Sequence, residues 1–131
     1  IADYEAAGRP ADALMQDLHW PLDLCLLGVG SDGHAASIFP GPDFDEAVNG
    51  PKERRALGVM PDPMPAEAPV PRVSLSLTAI TNARALMIAV TGDEKRAVIE
   101  TAIAQGPSSP YPVGRVLAGT EVPVDIHWAP A

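Results

Sequence analysis

The stretch that most constrains this chain is Leu22 to Pro40, LDLCLLGVGSDGHAASIFP, where an apolar run, a glycine-rich turn, a carboxylate and a histidine follow without a gap. Leu22, Leu24, Cys25, Leu26 and Leu27 form a nearly continuous apolar segment. That pattern predicts a short strand covered on both faces of a parallel sheet. Gly28 and Gly30 allow a sharp turn and a close approach of backbone to ligand. Asp32 and His34 then fall where open α/β sheets bind ligands, outside the carboxyl ends of the strands.

Regular elements return downstream. Val73, Leu75 and Leu77 alternate with Ser74, Ser76 and Thr78, which predicts a half-buried strand with its apolar side inward. A turn or helix through Ala79 to Ala83 leads to a second apolar strand, Ala85 to Val90. Thr91 and Gly92 end it. Asp93 and Glu94 suit the first turn of a helix that runs to about Gln105, because acidic groups favour the positive end of the helix dipole. Ala97, Val98, Ala102 and Ile103 are its expected buried face. Ser108 to Leu117 reads as a proline-bounded loop with one helical turn, and Val122 to Trp128 as a last strand. The order predicts a mostly parallel, Rossmann-like α/β sheet flanked by helices, joined by right-handed crossovers. There is no internal repeat or boundary, so residues 1–131 are expected to form a single domain.

The remaining segments are less regular. Ile1 to Ala7 predicts a short helix stopped at Gly8 and Pro10, and Asp12 to Leu18 a second one, closed by His19, Trp20 and Pro21. Gly41 to Pro71 is rich in proline, glycine and charge and reads as loop, interrupted by a strand from Ala56 to Met60. The five prolines from Pro61 to Pro71 predict an extended surface connection. Lys52, Arg54 and Arg55 read as a solvated run.

Composition narrows the function classes. A net charge of −8 argues against a nucleic-acid or anionic-membrane surface; an anionic substrate requires a local concentration of cations. The single cysteine excludes an internal disulfide and suits the reducing cytoplasm. No signal segment and no apolar run of membrane-spanning length is present.

The candidate groups have competing readings. His34 suits a general base oriented by Asp32, or a cap for the turn. Ser37 lacks the surrounding glycines of a nucleophile elbow and reads as a turn hydrogen-bonder. Gly28-Val29-Gly30 lacks the third glycine of a dinucleotide fingerprint. Cys25 is expected to pack in the strand, and His19 to sit at an edge. One histidine beside one carboxylate leaves a zinc site short of ligands. Lys95, one turn into a helix after a strand, suits phosphate binding or plain exposure. Arg72 either projects into the same crevice or borders it.

Leu26 to Gly41, LLGVGSDGHAASIFPG, closely resembles the signature of the 6-phosphogluconolactonases, in which Leu-Gly-x-Gly-x-Asp-Gly-His-x-Ala-Ser-x-Phe-Pro follows a strand. PRVSLSL at Pro71, TNAR at Thr81, VTGDEK at Val90 and the closing IHWAPA agree in order. The related glucosamine-6-phosphate deaminases share the Gly-x-Asp-Gly-His core but continue with Asn-Glu-Pro where this chain has Ile38-Phe39-Pro40. The resemblance implies the NagB/RpiA/CoA-transferase-like fold and hydrolysis of 6-phospho-D-glucono-1,5-lactone to 6-phosphogluconate in the oxidative pentose phosphate pathway, without metal or organic cofactor. It implies His34 as the base that activates water, Asp32 as its orienting partner, and Gly28, Gly30, Gly33, Arg72 and Lys95 as substrate-binding positions.

The family's members are longer, and their N-terminal half, with further strands and a Ser-Gly-Gly phosphate loop, has no counterpart here. Together with the opening on Ile1, this leads to the expectation of a C-terminal portion, with self-association or the other half as partner. Two alternatives stand beside the lactonase: a sugar-phosphate isomerase or deaminase, requiring an additional acid, and a non-catalytic sugar-phosphate-binding fragment.

Overall fold

In the computed structural model, which describes residues 3–40, 44–66 and 69–131, the strands β1 (Cys25–Leu27), β4 (Leu86–Thr91) and β5 (Val124–Ala129) form a parallel sheet in the order β1-β4-β5. A separate antiparallel pair joins β2 (Ala56–Val59) to β3 (Arg72–Leu75). Among the described residues the α-helices are α1 (Tyr4–Gln16), α2 (Phe44–Asn49), α3 (Leu77–Thr81), α4 (Asp93–Gln105) and α5 (Pro112–Gly119). The α/β class and the parallel sheet flanked by helices are as the sequence predicts, and the bounds of α4 match the predicted helix. No helix among the described residues is long and apolar enough to cross a membrane.

The core lies on one face of the parallel sheet. Cys25, Leu27, Leu86 and Ile88 point into a cluster with Ile99 and Ala102 of α4 and Val113 and Val116 of α5. The expectation that β1 is covered on both faces fails: Leu24 is 55% and Leu26 62% exposed. On that same second face Met87, in register with Leu26, is half-buried, and Ala89 and its partner His127, two residues further on, are exposed. The helices of α4 and α5 bury the first face alone, so alternate residues of β1 stay open.

Other corrections have local causes. The two predicted N-terminal helices are one, α1, which runs through Gly8 and Pro10. Gly8 is buried against the β2 backbone, where any Cβ would strike Gly58 and Leu57. Asp12 of the same helix accepts hydrogen bonds from the backbone N–H of Arg55 (2.6 Å) and Ala56 (3.2 Å) at the start of β2. These tertiary contacts outweigh the unfavourable local propensities. In and just after β3 the expected alternation holds in part: Leu75 and Leu77 pack half-buried against the core, but Val73 is exposed, while Ser74 and Ser76 are buried. Burial is tolerated because both hydroxyls are bonded. Ser74 Oγ donates to the Leu75 carbonyl, and Ser76 Oγ donates to the Arg54 carbonyl while capping α3 through the Ala79 N–H.

Along α4, Ile99 and Ala102 are buried, whereas Ala97 and Ile103 of the expected face are exposed and Val98 is half-buried. Ala102 packs on Gly114, so the buried stripe turns toward α5. The predicted 41–71 loop contains α2, and the 108–117 loop contains most of α5. Within the predicted surface connection, Glu67 and Ala68 lie outside the described residues, as do Gly41, Pro42 and Asp43 of the longer loop. The basic run is only partly solvated: Lys52 is exposed, but Arg54 pairs with Glu46 at 2.6 Å and the Arg55 guanidinium lies 4.4 Å over the Trp20 ring.

Candidate active site

The chain leaves β1 and folds back on itself at once. The Gly30 N–H donates to the His34 carbonyl (3.0 Å) and the Gly33 N–H to the Gly30 carbonyl (2.9 Å). Single bridges link Val29 to Ala35 and Ala35 to Ile38. Two residues take positive φ: Gly33 at 84° and Ala36 at 51°. A left-handed alanine is costly, and such residues concentrate at functional sites. Two anchors hold the loop. Ile38 is fully buried in the core, and the Gly33 carbonyl accepts the Val113 N–H of α5 at 3.0 Å.

Within this loop Asp32 Oδ1 lies 2.6 Å from His34 Nδ1 and also accepts the His34 backbone N–H at 3.0 Å. With Nδ1–H donating to the carboxylate, the lone pair of the imidazole is on Nε2. The His34 side chain is 28% exposed and that of Asp32 46%. The pair is therefore reachable by a solute, and its value is orientation rather than stability.

A cavity of about 740 Å³ opens in front of the pair. Asp32, His34, Gly28, Gly30, Arg72 and Lys95 all line it. Arg72 is delivered by β3 and Lys95 by the first turn of α4, behind Gly92 at φ 92°. Two cations against one carboxylate, itself engaged with His34, make this wall favourable to an anion although the chain is acidic overall. Gly33 differs from the other six: it is buried and faces Tyr111 rather than the cavity.

Part of the wall has no signal in the sequence. Pro63, Met64 and Pro65, from the segment read as a surface connection, line the same cavity. Only the β2–β3 pairing carries them there, so nothing in their local composition signals it. The Phe39 ring packs against both His34 and Arg72, a contact its own sequence neighbours do not signal. Ser37 donates its backbone N–H to Ser74 Oγ of β3 at 3.1 Å. Cys25 is buried, and burial pushes its thiol up from the ordinary range; a thiol held in that form is a poor nucleophile. His19 is exposed and outside the cavity.

No group of three or more His, Cys, Asp or Glu among the described residues is placed to hold a metal ion. A smaller cavity, about 440 Å³, lies between α1 and β2 and is lined by Arg9, Asp12, Glu46 and Arg54. Of its charges, Glu46 pairs with Arg54 and Asp12 accepts backbone N–H groups.

Residues 2–128 match the family model described as glucosamine-6-phosphate isomerases/6-phosphogluconolactonase. The chain is 37% identical over 127 residues to a 6-phosphogluconolactonase of Mesorhizobium japonicum, covering 96% of this chain and 51% of that protein. It is 32% identical over 130 residues to one of Pseudomonas aeruginosa, covering 98% and 52%. Among solved structures, a 6-phosphogluconolactonase from Shewanella baltica superposes with a TM-score of 0.84 at 28% identity, covering 100% of this chain and 54% of that one. The enzyme of Trypanosoma brucei gives 0.70 at 32% identity, covering 95% and 49%. The chain thus spans about half the length of the relatives it matches.

Proposed function

This chain belongs to the glucosamine-6-phosphate isomerase/6-phosphogluconolactonase family, and from that premise we propose that it is the C-terminal portion of a lactonase that hydrolyses 6-phospho-D-glucono-1,5-lactone to 6-phosphogluconate. The observation that carries the proposal is that His34, with Nδ1 held by Asp32, shares one cavity with Arg72 and Lys95.

The chemistry follows from those groups. An ester carbonyl is already electrophilic, so activating water is the main task. His34 Nε2 takes a proton from water as its oxygen bonds to the lactone carbonyl carbon. The tetrahedral intermediate collapses by breaking the bond to the ring oxygen, which receives the proton from the imidazolium. The new carboxylic acid loses its proton to solvent. Asp32 keeps the ring in the required tautomer and offsets its transient positive charge. Arg72 and Lys95 hold the phosphate and sugar, Gly28 lets the backbone approach closely, and Gly30 leaves room for the His34 ring. Gly33 serves this site indirectly, by fixing the turn.

The lining also separates this reading from isomerase or deaminase chemistry, which requires an acid besides the base. Asp32 is the sole carboxylate of the cavity among the described residues, and it is committed to His34. At the position where the deaminases carry glutamate this chain has Phe39.

Acid release from freshly generated 6-phosphogluconolactone, with spontaneous hydrolysis subtracted, tests the proposal. The intact mass of the same preparation fixes which polypeptide the rate belongs to. Excess hydrolysis that falls about 10²- to 10⁴-fold in His34→Ala is the expected result. No excess over the spontaneous rate, or a rate unaltered in His34→Ala, overturns it.

A further inference from the structure

Phe39 is 5% exposed and does not line the cavity, yet it touches two groups that do. Its ring is stacked on the His34 imidazole, with centroids 4.1 Å apart and planes 26° from parallel. The Arg72 guanidinium lies over the same ring, 4.7 Å from its centroid. We infer that Phe39 is a positioning residue that fixes the plane of the His34 ring and the direction of the Arg72 side chain together, from behind the cavity wall. The inference rests on the lactonase reading for its reaction, but not for its geometry.

The two constraints on His34 are complementary. The Asp32 bond fixes the direction of Nδ1 within the ring plane but leaves the ring able to swing about that bond. A stacked neighbour removes the swing. Arg72 is a long side chain with many rotamers, and its Nε donates to the Val70 carbonyl at 3.4 Å. A ring whose face is electron-rich attracts the guanidinium and narrows its range. His34 comes from the loop after β1 and Arg72 from β3. Phe39 therefore couples two elements that the Ser37 N–H to Ser74 Oγ bond also joins, and backbone bonding supports it, since the Ile38 N–H beside it donates to the Ala35 carbonyl at 2.9 Å.

The experiment compares wild type, Phe39→Leu and a protein with pentafluorophenylalanine at position 39, which keeps the ring but reverses the sign of its face. Each is read by the NMR shifts of the His34 ring protons and by titration with 6-phosphogluconate, the product. In Phe39→Leu the His34 protons should lose the ring-current shift, and affinity should fall. In the fluorinated protein affinity should fall by roughly three- to thirtyfold through Arg72 with the fold retained. If Phe39→Leu does not fold, the fluorinated protein and the wild-type ring-to-ring NOEs decide. Unchanged His34 shifts with unchanged affinity in a folded variant overturn the inference. Shifts that move in a protein without lactonase turnover support the positioning role and reject the reaction assigned to it.

Discussion

Gly30 lies directly against the His34 ring: a Cβ built on Gly30 would fall inside the contact distance of Cε1 and Nδ1, and 3.0 Å from Asp32 Oδ1. The second glycine of the turn is thus required by the imidazole rather than by a bound ligand. Gly30→Ala must push the ring off Asp32. The expected outcome is a loss of turnover close to that of His34→Ala, about 10²- to 10⁴-fold, with displaced His34 ring resonances. Gly28, which has no atom within 4 Å of an added Cβ, provides the contrast: Gly28→Ala should leave those resonances in place.

How far the sequence discloses this arrangement depends on the range of the cause. The α4 start is legible because Thr91-Gly92-Asp93-Glu94 encodes it locally. The Asp32-Gly33-His34 pair is likewise a turn of three residues. The buried serines at the end of β3 and just beyond it are not legible, because alternation gives a period and not a direction, and Ser74 and Ser76 are made tolerable by partners at Ser37 and Arg54. Leu26 illustrates a different gap. Its apolar character signals a sheet, but which face the helices cover is settled by the placement of α4 and α5. Pro63 to Pro65 reach the cavity through long-range pairing alone.

Gly33 carries a separate demand. At φ 84° it occupies backbone space that side chains rarely adopt, and an added Cβ would strike Tyr111. Gly33→Ala should destabilise the fold by about 1–3 kcal/mol from the backbone alone, read as a lowered urea midpoint. In a Tyr111→Ala background the added cost should shrink, because the steric part has been removed; an equal cost in both backgrounds would assign the whole effect to φ.

Asp32 acts on the base and not on the phosphate. Asp32→Asn should lower kcat with KM little altered, since its Oδ1 contacts are confined to His34. Stability should change by less than about 1 kcal/mol, as expected of an exposed pair. Steady-state kinetics and thermal melts on the same variant separate the two effects, and a change confined to KM would move Asp32 from the base to substrate binding.

Lys95 and Arg96 are neighbours with different surroundings. Lys95 lines the cavity, whereas Arg96 pairs with Glu100 at 2.8 Å and lies over Trp128 at 4.6 Å. Lys95→Met should weaken 6-phosphogluconate binding roughly tenfold or more, the worth of a charged hydrogen bond, and Arg96→Met should leave it unchanged. Equal losses in calorimetric titrations of both variants would mean that general charge, not the cavity, holds the ligand.

Cys25 supplies a pH test of β1. Burial raises its thiol above the ordinary range, so the folded chain resists forming the thiolate more than the unfolded chain does. A raised folded-state value contributes stability that is complete below the unfolded value and is lost as pH climbs through the folded one. The difference in unfolding free energy between wild type and Cys25→Ala should therefore be flat from about pH 7 to the unfolded thiol value near 8.5, and should fall above it. In the same range the native thiol should react with a disulfide reagent only after denaturant is added. A difference that rises with pH would mean that the folded state favours the thiolate, placing a cation rather than the Leu27, Leu86 and Ile88 cluster around that side chain.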